Sequence, residues 1–150
     1  MKKKAIIIIL PAVLLIVVAV LACYRNSRTI KDGYYTAEMA DTSYGWREYL
    51  CIQVKNGIIM SAEFNAKNDS GFIKSWDNAY MKNMNPISGT YPNKYTREYV
   101  QQLIDGQEDM EVDLITGATE SGYHFKKLVA AVLEQARKGD SKIKTVESDN

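Results

Sequence analysis

Two hydroxyls and two small residues, Thr116-Gly117-Ala118-Thr119, make up the segment of this chain best suited to chemistry. They lie between Val112 to Ile115, which reads as a short strand, and a helix that begins near Ser121. Small residues leave the backbone approachable. A helix N-terminus offers unpaired N–H groups at the positive end of its dipole, so a phosphate placed near Thr119 is favoured electrostatically. The same spacing also suits Thr119 or Ser121 as an ordinary helix cap. The chain has neither a GxxxxGK(S/T) loop nor a GxGxxG fingerprint, so ordinary nucleotide folds do not explain the segment.

Composition restricts the other options. The single histidine, His124, excludes a multi-histidine zinc site and leaves any Ser-His-Asp triad dependent on one residue. Two cysteines, Cys23 and Cys51, are too few for a four-cysteine zinc site or iron–sulfur cluster, and no CxxCH provides for attached haem. Redox chemistry, if present, must therefore use an organic cofactor. Cys51 reads as a small buried apolar residue.

At 150 residues the chain has length for one domain. Lys2, Lys3 and Lys4 precede an apolar run from Ala5 to Ala22, an export signal by the positive-inside rule. Residues 1–23 suit an uncleaved transmembrane helix by length. They also resemble a lipoprotein signal, because Val20-Leu21-Ala22-Cys23 is similar to a bacterial lipobox with Cys23 as the lipidated residue; Leu21 stands where a small residue is usual. Either way the lipid bilayer is a partner. Without the three lysines the formal charge falls from +1 to slightly negative, and nothing indicates nucleic-acid binding. Residues 24–32 read as a polar spacer, 33–139 as the folded domain and 140–150 as a polar, frayed tail.

Within the domain, Gly33 to Met39 reads as a first strand. Tyr49 to Val54 reads as a second, with Leu50, Ile52 and Val54 on one face. Asn56-Gly57 favours a tight hairpin into a third strand over Ile58 to Asn65. Trp76, Ala79, Tyr80 and Met84 fall at helical spacing, with Trp76 a core residue and the end marked by Asn85-Pro86. Asn93 or Thr96 could cap another helix that turns Tyr99, Val100, Leu103 and Ile104 inward and stops at Gly106. The last helix carries Phe125, Leu128, Val129, Val132, Leu133 and Ala136 as a core-facing stripe, with Arg137-Lys138 and Gly139 at its end. The expected fold is α+β, a small antiparallel sheet with packed helices.

Asp113-Leu114-Ile115-Thr116-Gly117-Ala118-Thr119-Glu120-Ser121 resembles the D-x-x-(S/T)-G-A-T-x-(S/T) attachment motif of the FMN-binding domain family. Segments at Asp32 to Glu38, Gly45 to Tyr49, Val54 to Gly57 and Gly71 to Ser75, with Asp77, Tyr80 and Met84, are similar to its single-module extracellular branch. Gly122 departs from the other small or hydroxylated residues that many members carry there. The resemblance implies covalent FMN on Thr119, transferred from FAD by a flavin transferase. Asp113 then positions the loop or orients the hydroxyl, or is a solvated strand-end carboxylate. Thr116 bonds locally, while Gly117, Ala118 and Ser121 complete the motif. Candidates for the flavin ring are Trp46, Lys74, Ser75 and Tyr80, since aromatic faces stack on flavins and a cation favours the reduced anion. His124 reads as a surface residue, with proton donation to the flavin as the other possibility.

The implied function is a membrane-tethered electron carrier on the outer face, fed by a membrane oxidoreductase or quinol, rather than an enzyme with its own substrate. Two alternatives stand beside it: a flavin-free ligand-binding or surface-interaction lipoprotein, and the flavin module of a multi-chain terminal reductase.

Overall fold

The second strand shows how alternation builds the sheet. In the computed structural model, which describes residues 13–20 and 29–148, β2 (Arg47–Lys55) buries Glu48, Leu50, Ile52 and Val54 in strict period two. β1 (Gly33–Met39) pairs with it antiparallel, and β3 (Ile58–Lys67) returns on its other side. The turn between β2 and β3 places both Asn56 (φ 55°) and Gly57 (φ 70°) in the left-handed region, as a two-residue hairpin requires.

The sheet is mixed, not purely antiparallel. A fourth strand, β4 (Lys144–Val146), lies parallel to β1, giving the order β3-β2-β1-β4. It forms within the segment expected to be a frayed tail. Three residues show no periodicity, and what holds them is tertiary: Ala40 N–H donates to Val146 O, and Lys144 pairs with Glu134.

Residues 13–20 are helical (α1) and exposed, and among the described residues no helix is long and apolar enough to cross a membrane. The rest of the expected signal or anchor, including Cys23, lies outside the described residues. The expected spacer ends inside the domain: Ile30 is buried, and Lys31 N–H donates to Ala136 O at 2.9 Å.

Two helices cover one face of the sheet. α3 (Pro92–Gly106) and α4 (Thr119–Lys138) bury Tyr99, Leu103, Phe125, Leu128 and Val132 against Leu50, Ile52 and Phe64. Phe64, Tyr99 and Phe125 form a ring cluster with centroids 4.8–6.0 Å apart. Pro92 occupies the first turn of α3, where its missing N–H costs nothing, so neither Asn93 nor Thr96 caps that helix. Thr96 instead donates to Pro92 O.

α2 (Asn78–Ser88) starts two residues after Trp76, with the Asp77 side chain accepting from Tyr80 N–H. Trp76 closes a 3-10 turn, Lys74–Trp76, and is 67% exposed rather than a core residue. Pro86 does not end α2. The helix runs on to Ser88 and closes at Gly89 (φ 68°), because a proline so near the C-terminus removes only one helical bond. Val112 to Ile115 is extended but is no strand: Gln102 takes the place of a neighbouring strand, accepting from Asp113 N–H and donating to Asp113 O. Cys51 is half-buried on the opposite sheet face from Leu50 and Ile52.

Candidate functional site

Tyr99 fixes the Thr116 to Thr119 loop from below. Its buried hydroxyl accepts from Ile115 N–H at 3.0 Å and donates to Ala118 O at 3.1 Å, so both ends of the loop hang on one side chain. Gly117 turns the loop at φ 82°, and a Cβ there would lie 2.1 Å from Ser88 O. Only glycine allows that approach to the end of α2. At Gly122 a Cβ would meet the Tyr99 hydroxyl at 2.4 Å and Leu114 Cδ2 at 2.6 Å. A side chain at position 122 would therefore press on Tyr99 and Leu114.

α4 begins at Thr119, two residues earlier than the apolar stripe suggests. Its N-cap is Ala118, and no side chain caps it. Neither Thr119 nor Ser121 is an ordinary helix cap here: Thr119 is exposed, and Ser121 Oγ donates to Glu48 Oε1 at 2.5 Å. The first N–H groups of a 20-residue helix are left without side-chain partners.

These groups open onto a cavity of about 280 Å³. Gly117, Ala118, Thr119 and Ser121 are among its lining residues, with the aromatic rings of Trp46, Tyr80 and Tyr95 and the charged groups of Lys74, Glu48 and Glu120. A two-residue turn at Tyr44-Gly45 brings Trp46 back against Ser43, whose hydroxyl donates to Glu120 at 2.7 Å. Trp46 meets Tyr80 edge to face at 6.1 Å.

Lys74 is the exceptional charge in the cavity. It is 7% exposed, and its Nζ lies 4.9 Å from the Tyr80 ring centroid without a hydrogen bond or ion pair among the described residues. Burial lowers its pKa, and the nearby Glu48 and Glu120 carboxylates oppose that shift. An ammonium so placed, facing an uncapped helix N-terminus, gives the cavity one positive pole for a ligand that carries or gains negative charge, set against the Glu48 and Glu120 carboxylates that also line it.

The expected residues are thus divided. Trp46, Lys74, Tyr80 and the segment from Gly117 to Ser121 share the cavity. Asp113 and Thr116 are exposed outside it. Ser75 faces a neighbouring hollow of about 640 Å³ between β3 and α3, where it accepts from Asn65 Nδ2 at 2.8 Å.

Glu48, absent from the expected set, is the polar centre of the site. Only 5% exposed, it accepts from Ser121 through one oxygen and pairs with His124 Nδ1 through the other, at 2.7 Å. His124 is therefore engaged rather than a free surface histidine. The hydrogen bond to Glu48 raises its pKa, with burial opposing. The signal for Glu48 was available, since position 48 continues the buried alternation of Leu50, Ile52 and Val54.

No protein-family profile matches the chain. Its sequence is 32% identical over 120 residues to the 15 kDa lipoprotein of Treponema pallidum, covering 79% of this chain and 84% of the relative. The chain belongs to that lipoprotein's family. The crystal structure of the CPE2226 protein from Clostridium perfringens superposes with a TM-score of 0.74 at 36% identity, covering 80% of this chain and 99% of that one. Both matches cover about four-fifths of this chain.

Proposed function

We propose that this family member is an electron carrier tethered outside the membrane, with FMN joined through its phosphate to Thr119. The observation that carries the reading is the exposed Thr119 hydroxyl at the uncapped start of α4, beside a cavity lined by Lys74, whose ammonium has no hydrogen-bond partner among the described residues. The residues present fit the group. Thr119 and the first-turn N–H groups would hold the phosphate, and Trp46, Tyr80 and Lys74 would hold the ring. Bound there, FMN supplies exchange of one or two electrons.

The chain's residues do the rest. Lys74 favours added negative charge, Tyr99 and Gly117 hold the attachment loop, and the aromatic wall limits water. Asp113, exposed beside the loop, is free to meet a flavin transferase that uses FAD as donor. A membrane oxidoreductase or quinol supplies the electrons. The lipoprotein relative favours Cys23 as the lipid anchor over an uncleaved helix.

The test is co-expression of the full chain with a flavin transferase, followed by denaturing electrophoresis and intact-mass measurement. Fluorescence that survives denaturation, with a mass increase of one FMN less water, is expected for the unmodified chain and absent from Thr119→Ala. A chain with no adduct would instead be a flavin-free lipoprotein, and an adduct persisting in Thr119→Ala overturns the attachment site.

A further inference from the structure

The carrier reading leaves one polar line unused. His124 lies on the first turns of α4 and its imidazole is 17% exposed, yet its Nδ1 reaches Glu48 Oε2 at 2.7 Å. Glu48 and Ser121 line the cavity, while His124 does not. Both oxygens of the buried carboxylate are engaged, one by Ser121 and one by His124, so its position is fixed between the imidazole and the cavity. The line runs from partly exposed ring to buried carboxylate to cavity, which Lys74 also lines.

We propose that His124, held by Glu48, is the proton-binding residue of this site, its imidazole taking a proton from water when negative charge enters the cavity. The inference rests on the carrier reading above. In the step, the electron pair comes from a protein or quinol donor and goes to the cavity ligand. One proton goes with the electron pair to the ligand, forming one N–H bond and leaving one net negative charge there, and a second proton passes from solvent to the imidazole, giving imidazolium. His124 acts through Glu48 and is a positioning residue in this sense.

Charge bookkeeping around the pair favours this residue. Glu48 faces His124 from β2, and Glu120 and Lys127 share its helix. Around Glu48 stand Lys74 of the 3-10 turn, Tyr80 of α2, and Tyr95 and Tyr99 of α3. Burial raises the pKa of all three tyrosines, so they stay uncharged. Histidine is the side chain whose ordinary pKa lies between pH 5 and 8, and the Glu48 hydrogen bond raises it. Negative charge added in the cavity that Glu48 lines raises it further.

The measurement is direct because the chain has one histidine. The imidazole C–H resonances of the flavin-loaded full chain are titrated by NMR in the oxidised form and after dithionite reduction. The expected result is a higher His124 pKa in the reduced protein, a matching bend in midpoint potential against pH, and loss of that bend in His124→Gln. In the flavin-free protein, Glu48→Gln lowers the His124 pKa. Identical titration in both oxidation states of adduct-bearing protein overturns the inference and leaves the carrier reading intact. A chain bearing no adduct overturns both. The NMR comparison of oxidised and reduced protein uses the flavin-loaded chain without substitutions, so it stands whether or not Glu48→Gln folds.

Discussion

The inner and outer walls of the cavity are built differently. On the inner side, β2 and the start of α4 lock Glu48, Ser121 and His124 together over the buried Tyr99 hydroxyl. On the outer side, α2 has no fully buried residue and exposes Ile87 at 87%, although Tyr80 and Met84 face the cavity. Charged and hydrogen-bonding groups need a frame that holds them against solvent. An aromatic wall needs only to close on a flat surface, and a helix secured mainly at Asp77 and Gly89 can adjust to what it covers.

This contrast can be broken most sharply at Gly122. Gly122→Ala puts a methyl 2.4 Å from the Tyr99 hydroxyl. We expect a loss of about 2–3 kcal/mol in urea unfolding, and a loss under about 0.5 kcal/mol would show the inner wall to be yielding. Tyr99→Phe should follow at about 1–3 kcal/mol, because Ile115 N–H and Ala118 O both lose their partner. Its signature is loss of amide exchange protection at Ile115.

The His124–Glu48 pair gives a smaller, pH-dependent effect. With a folded pKa above the ordinary 6.5, the pair contributes its full stabilisation below pH 6.5 and loses it as pH rises through the folded value. The stability gap between the unmodified chain and His124→Gln should therefore narrow from pH 5.5 to pH 9. A gap that widens would reverse the assignment. Least affected is the outer wall, where Ile87→Ser should change stability by no more than about 0.5 kcal/mol in the same unfolding assay.

The same two walls differ in how far they were legible in the sequence. Alternation in β2, the Asn56-Gly57 turn and the stripe from Phe125 to Ala136 were read directly, because each is a local pattern repeated several times. Trp76 was misplaced because a helical spacing says nothing about where the chain enters the helix; the Asp77 cap sets that boundary after Trp76. β4 was missed because three residues held by α4 and β1 carry no signal of their own. The missing strand over Val112 to Ile115 has the opposite cause, an apolar run whose neighbour is a glutamine side chain rather than another strand. At the site, the loop motif was visible, while Glu48 was hidden by the habit of reading a charged residue as outward-facing in a strand whose buried face it shares.

The bond from Lys31 N–H to Ala136 O places the chain's entry to the domain at the far end of α4 from Thr119. A 20-residue helix is about 30 Å long. α4 therefore works as a spacer that separates the domain's entry at Lys31 from the cavity at Thr119. The length of that separation is set by the twenty helical residues between the two ends.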